Sequence, residues 1–294
     1  MESSLYCFKI GRGKPVVLLN PIFSDSRFWI PYILPVLHKY RFYILEYRGY
    51  GKSPNFQESK DGYMDLAAQD VAGYIESSFQ EPVMLAGVSM GALIGMKALQ
   101  KLQDKTIISK FLVVDHPISF DPDESLVPSV IHAMSSINDV FHMMEEEKFG
   151  KELSLFQLPI YFQNKFFDII RQITVLSFPQ LSLQKASKLM KNPLINRYLI
   201  AKILPVEHSW YAMVNALKDY CSHTFDVSED LKKWDFPVCL FAGTKNALYD
   251  QEKNELLLKY KPDAEIVLFK KSGHGLFASE PIKFTKKLSS FLAG

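Results

Sequence analysis

Short uninterrupted apolar runs alternate along the chain with longer stretches in which apolar positions recur every three or four residues. Val16-Val17-Leu18-Leu19, Arg41 to Tyr47 (RFYILEY), Pro82 to Ala86 and Phe111 to Val114 have the first pattern, that of strands buried on both faces. Ser26 to Lys39, Met64 to Phe79 and Ala92 to Leu102 have the second, that of helices with one apolar face. Leu5 to Ile10 predicts a further strand, separated from Val16 by the turn Gly11-Arg12-Gly13-Lys14-Pro15. Strands alternating with helices of this length imply parallel crossovers. The fold class expected is therefore α/β: a mostly parallel open sheet with helices on both faces and ligands beyond the carboxyl ends of its strands.

After Pro117 the rhythm changes. For about the next hundred residues helical patterns rich in Phe, Tyr, Met and Leu recur without a convincing buried strand. Strand patterns return at Pro237 to Phe241 (PVCLF) and Glu265 to Phe269 (EIVLF), and a helix is predicted from Pro281 to Leu292. These observations divide the chain into a core, 1-118 and 230-294, interrupted by an inserted helical cap, 119-229. Glu145-Glu146-Glu147 is expected on a solvated helix face.

With 294 residues, the chain is long enough to bury a sizeable core. Its 34 Lys and Arg against 32 Asp and Glu leave a net charge of +2, which creates no field selecting nucleic acid or acidic lipid. The first residues, MESSLYCFKIGRGKPVVLL, show no basic stretch followed by an apolar one of signal-peptide length. Charge also interrupts every apolar run before membrane-spanning length, so no membrane insertion and a cytoplasmic location are expected. Cys7, Cys221 and Cys239 are odd in number and far apart, which predicts buried thiols rather than disulfides or a zinc site. No phosphate loop, metal-ligand cluster or dinucleotide fingerprint is present, so no cofactor is expected.

The candidate chemistry lies at Gly87-Val88-Ser89-Met90-Gly91, a G-x-S-x-G pentapeptide. A predicted strand runs into it and a predicted helix leaves it. In that context small residues let the turn tighten while the serine hydroxyl takes the exposed apex, beside the positive end of the helix. Ser89 is the candidate nucleophile. Here the sequence resembles the α/β-hydrolase fold family. Asn20-Pro21-Ile22-Phe23 stands where many members carry His-Gly, Glu46-Tyr47-Arg48-Gly49-Tyr50-Gly51-Lys52-Ser53 is similar to the family's D-x-R-G-x-G-x-S loop, and Ser272-Gly273-His274-Gly275 with Glu280-Pro281 is similar to its C-terminal G-H…E-x-P segment. The resemblance covers the two core segments but not the cap. It implies His274 as general base, backbone N–H groups of Met90 and Ile22 as an oxyanion hole, and Arg48 as a loop tether. His116 is a candidate for the pocket mouth, and His208 is expected within the cap.

The third member of the triad departs from the family pattern. The acid usually follows the strand equivalent to PVCLFAG in a G-x-x-D segment, whereas this chain reads Gly243-Thr244-Lys245-Asn246. An amide oxygen can orient an imidazole but carries no charge for the imidazolium; in a chymotrypsin-type triad the same exchange costs about 10⁴ in turnover. Three alternatives stand open: Asp115 at the end of FLVVD, Asp250 four residues beyond Asn246, or Asn246 itself as the orienting group. The aromatic richness of the cap points to an apolar cleft and a small-molecule or carrier-bound hydrophobic acyl substrate. The expected function is a serine hydrolase acting on a carboxylic ester or thioester. An acyltransferase and a catalytically weakened binding protein are the competing expectations.

Overall fold

The computed structural model describes residues 5–56, 60–121, 128–178, 201–249 and 252–294, with backbone alone for 128–134 and 201. Strands β1 (Cys7–Gly11), β2 (Lys14–Leu19), β3 (Tyr40–Leu45), β4 (Val83–Val88), β5 (Ile108–Val114), β8 (Val238–Gly243) and β9 (Glu265–Phe269) form one sheet in the order β1-β3-β2-β4-β5-β8-β9. β1 runs antiparallel to β3, and every other neighbouring pair is parallel. This is the mostly parallel sheet the apolar runs predict. β4 and β8 are buried at all six positions, which is why they read as continuous apolar runs rather than alternating ones.

The sheet separates two apolar layers. Along β2, Val16 and Leu18 face the layer that holds Trp29, Ile33 and Phe284, while Val17 and Leu19 face the opposite layer, as a period of two requires. Helix α1 (Gly62–Ser78) and helix α2 (Met90–Lys101) cover the second face and pack on each other. The last helix of the chain (Pro281–Ala293) covers the first through Phe284, Leu288 and Leu292.

Ser26 to Lys39 departs from the single helix predicted from its spacing. It forms a 3₁₀ turn at Ser26–Trp29, one α-helical turn at Ile30–Ile33 and a second 3₁₀ turn at Leu34–Val36. Pro31 and Pro35 mark the interruption, because each lacks an N–H and cannot donate the main-chain bond that continues a helix. The apolar face survives nonetheless, with Trp29 and Ile33 buried.

Between β5 and β8 the described chain forms helices α3 (Pro128–Glu147), α4 (Ile160–Ser177) and α5 (Val206–Ser222). α5 packs against both α3 and α1, and the Asp219 carboxylate accepts a hydrogen bond of 2.7 Å from the Met64 N–H in the first turn of α1. Where no strand is expected, two-residue strands β6 (Ser119–Phe120) and β7 (Phe225–Asp226) pair antiparallel. Two residues are too few to show a period, so the sequence pattern missed them. Helix α6 (Glu252–Tyr260) follows β8, and we number the last helix α7. No described helix is long and apolar enough to cross a membrane. The cysteines are corrected in part: Cys239 is buried, whereas Cys7 and Cys221 are half-buried, and all three are free.

Candidate active site

β4 ends at Val88 and α2 begins at Met90, leaving Ser89 alone at the apex of the turn with φ 52° and ψ −119°. Its own backbone holds it there. The Ser89 N–H donates to the Val114 carbonyl at 2.8 Å, and the Ser89 carbonyl accepts from Ala92 and Leu93 at 2.8 and 3.1 Å. The turn closes only because two positions lack a side chain. A Cβ on Gly87 would lie 2.4 Å from the Gly91 carbonyl oxygen, and one on Gly91 would lie 2.5 Å from the Leu19 carbonyl oxygen. Met90 is the first residue of α2, so its N–H has no partner within the helix and lies at the positive end of the helix dipole.

His274 comes from the loop after β9, and its Nε2 lies 2.8 Å from Ser89 Oγ. That loop is held from two sides. Ser272 Oγ and the Lys271 N–H both donate to Glu280, at 2.8 and 3.0 Å, and the Gly275 N–H donates to the Ser177 carbonyl at the end of α4 at 2.9 Å. On the other side of the ring, Nδ1 lies 2.7 Å from Asp115 Oδ2, an ion-pair distance without the straight N–H···O line of a hydrogen bond. A carboxylate oxygen accepts, so this contact places the proton on Nδ1 and leaves Nε2 to accept from the serine hydroxyl.

Asp115 is fully buried. It follows β5 with φ 53°, a left-handed conformation that aspartate tolerates better than most residues. Its Oδ1 accepts from the Gly243 N–H at 2.9 Å and from the Tyr249 hydroxyl at 3.3 Å, and its Oδ2 accepts from Asn246 Nδ2 at 2.8 Å. Burial pushes this carboxyl up, while contacts with His274, the Gly243 N–H and the Tyr249 hydroxyl pull it back. Of the alternatives for the third member, the structure brings Asp115 to His274 and turns Asn246 toward Asp115 instead of the imidazole. Asp250 lies outside the described residues. Tyr249 and the Gly243 N–H carried no sequence signal, because their contacts depend on where β5 and β8 lie side by side.

A cavity of about 340 Å³ opens over Ser89 and His274. Its walls come from the loop after β2 (Pro21, Ile22, Phe23), from α4 (Ile170, Thr174) and from α5 (Leu217, Tyr220). Among the described lining residues none is Lys, Arg, Asp or Glu. His116 also lines it. Its Nδ1 lies 2.8 Å from the Pro117 carbonyl oxygen, and burial pushes the imidazole down to about 4, so the ring is neutral at ordinary pH. Cys221 contributes a wall, and burial pushes its thiol up to about 12, which keeps it protonated.

Arg48, Glu46 and His208 are not among the described residues that line the cavity. Arg48 pairs with Asp70 in a two-pronged contact, and its carbonyl accepts from Tyr63 at 2.9 Å, a tether for its loop. Glu46 accepts from Ser26 Oγ at 3.0 Å and from the Lys52 N–H at 2.9 Å, so it ties two loops together as a buried anchor. The side chain of His208 is largely exposed.

The alpha/beta hydrolase family model matches residues 16–286. The chain is similar to the AB hydrolase superfamily protein YisY of Bacillus subtilis (strain 168), with 24% identity over 290 residues, covering 98% of this chain and 95% of that protein. It is also similar to an sn-1-specific diacylglycerol lipase of Mus musculus, with 20% identity over 249 residues and coverage of 84% and 69%. Among solved structures, an esterase from Exiguobacterium antarcticum superposes with a TM-score of 0.73 at 20% identity, over 99% of this chain and 96% of that one.

Proposed function

Because this chain belongs to the alpha/beta hydrolase family, we propose that it is a serine hydrolase that cleaves a carboxylic ester or thioester of a hydrophobic acyl substrate through an acyl-enzyme at Ser89. The observation that carries this reading is the line Ser89 Oγ, His274 Nε2, His274 Nδ1, Asp115 Oδ2, with successive contacts of 2.8 and 2.7 Å across the ring. A binding-only protein has no physical need of it. The esterase and lipase named among the similar proteins support ester hydrolysis in general.

In the proposed reaction His274 Nε2 takes the hydroxyl proton as Ser89 Oγ attacks the acyl carbon. The buried Asp115 carboxylate stabilises the imidazolium that forms. Charge developing on the acyl oxygen is held by the backbone N–H groups of Met90 and Ile22. The carbon–oxygen or carbon–sulfur bond then breaks, and His274 returns its proton to the leaving alcohol or thiol. Water deprotonated by His274 attacks the acyl-enzyme, releasing a carboxylic acid and free Ser89. The absence of charged side chains among the described lining residues supports an apolar acyl group over a substrate with a buried phosphate or carboxylate. We take the helices between β5 and β8 as the cap that shuts this cleft from water.

Intact-mass analysis after treatment with a fluorophosphonate tests the reading. One adduct per chain is expected, lost in Ser89→Ala. A folded native chain that forms no adduct, or an adduct that persists in the variant, overturns it.

A further inference from the structure

Asn246 occupies the position at which the sequence pattern calls for an acid, yet its amide does something else. Its Oδ1 accepts from the Leu248 N–H at 2.8 Å. A backbone N–H can only donate, so this bond fixes the amide orientation and directs the NH₂ group at Asp115 Oδ2, 2.8 Å away. That is the same oxygen that lies 2.7 Å from His274 Nδ1. The other oxygen, Oδ1, is held separately by the Gly243 N–H and the Tyr249 hydroxyl. Asn246 therefore sets the position and the charge density of the oxygen that faces the imidazole.

We infer that Asn246 is a positioning residue for the proposed reaction, that it acts by donating to Asp115, and that a carboxylate placed there would impair the site rather than complete it. The inference rests on the reading of Ser89, His274 and Asp115 given above. In Asn246→Asp the new side chain could keep the Leu248 N–H with one oxygen, but its other oxygen would then face Asp115 Oδ2 at about hydrogen-bond distance. Two carboxylates so close in a buried site do not both ionise without a large penalty, and the pair retains a proton to higher pH than either would alone. When both are charged, repulsion drives Asp115 off its line to His274. When one proton is held, the carboxyl introduced by Asn246→Asp carries it and becomes an O–H donor in place of the amide.

This logic gives the variant a distinctive pH response. Among the described residues, the titratable groups in contact with Asp115 are His274 from the loop after β9 and Tyr249 from the loop after β8, and His116 is next to it in the chain; all three are present in every protein compared. His274 has its own acid limb in each protein, so the ratio of one variant to another is read only above the highest of those limbs, where the imidazole is neutral in all of them. The ratio of Asn246→Asp to Asn246→Ala should thus isolate the carboxylate pair.

The test is the second-order rate of Ser89 phosphonylation by a fluorophosphonate across about pH 5 to 9, with thermal unfolding as the check on folding. Asn246→Ala should react roughly 10- to 100-fold more slowly than the native chain, the scale on which small misplacements act. Its acid limb should move to higher pH, because Asp115, freed of one donor, holds the protonated imidazole more strongly. Asn246→Asp should be slower still at alkaline pH, and its rate relative to Asn246→Ala should climb as the pH falls toward the highest acid limb. An Asn246→Asp chain as fast as the native one near neutrality overturns the inference, as does a pH-independent ratio. So does an Asn246→Ala chain within twofold of native, or one that is slower with an unmoved acid limb. If Asn246→Asp does not fold, Asn246→Ala decides by its rate and its limb. A native chain that does not react removes the serine-hydrolase reading and this inference together, whereas failure in the variants alone removes only the latter.

Discussion

Three non-glycine residues with left-handed backbone gather at the candidate site: Phe23 at φ 60°, Ser89 at φ 52° and Asp115 at φ 53°. They follow β2, β4 and β5 respectively, so each sits beyond the carboxyl end of a parallel strand. Such conformations cost on the order of 1–3 kcal/mol each, and they persist where surrounding contacts over-determine them. For Ser89 and Asp115 those contacts are main-chain bonds of 2.8 Å to the neighbouring strand, from the Ser89 N–H to Val114 and from the Asp115 N–H to Phe241. His116, next along, is buried among the rings of Phe120, Tyr220 and Phe225. Burial pushes its imidazole down to about 4 from an ordinary 6.5. Below pH about 6.5 the unfolded chain binds a proton here that the folded chain refuses, so stability is full above that pH and falls as the pH drops toward 4, by about 3 kcal/mol in all. Replacing it in His116→Phe should remove this component. Urea unfolding at about pH 7.5 and about pH 4.5 is expected to show a smaller loss for the variant than for the native chain, and equal losses would contradict the assignment.

At the scale of elements, the strand-turn-helix at Ser89 depends on close approach of α2 to the sheet. Gly95 continues the contact, since a Cβ there would lie 3.1 Å from the Phe111 ring, an approach that a small side-chain shift relieves. Gly91 has no such relief, because the atoms it would meet are the carbonyls of Leu19 and Asn20 at 2.5 and 2.7 Å. Gly91→Ala must push α2 from β2, and overpacking of this kind costs about 1–3 kcal/mol. Chemical denaturation should show that loss, together with slower phosphonylation because the Met90 N–H moves with the helix. The strand-turn-helix was legible in the sequence because both flanking elements have strong periods and the glycines mark the approach. The segment from Ser26 to Val36 was legible only in its apolar face: the spacing placed Trp29 and Ile33 inside, while Pro31 and Pro35 decided the backbone. β6 and β7 could not be read, because a two-residue strand has no period and its partner lies about a hundred positions away in the chain.

At the scale of the whole molecule, the cavity exists only where the sheet and the inserted helices meet. Ser89 and His274 stand on one side, and Thr174 of α4 and Leu217 of α5 on the other. α4 is bonded to the loop that carries His274 through Ser177 and Gly275, so the two halves are joined beside the candidate base. On the proposed reading of the site, filling the far wall should shorten the acyl group it accepts. Thr174→Trp is expected to lower kcat/KM for a p-nitrophenyl octanoate at least about tenfold, since each lost methylene contact is worth roughly 1 kcal/mol or more, while leaving the acetate ester within about threefold. Equal effects on both esters would show that Thr174 does not face the acyl chain.

The seven strands of the large sheet, helices α1 and α2, the apolar faces, the serine at its turn and the histidine in its glycine-flanked loop were written in local pattern. Periodicity, glycine placement and turn chemistry act over a few residues, and those distances the sequence itself displays. Which side chain lies against His274 was not local. Asp115 and Asn246 stand 131 positions apart. Each was a plausible partner until the pairing of β5 with β8 set them side by side and gave one the imidazole and the other the carboxylate. The cavity was likewise a product of packing, because its walls come from elements that share no sequence neighbourhood. Local chemistry determined which groups this protein could use, and the sheet register determined which of them meet.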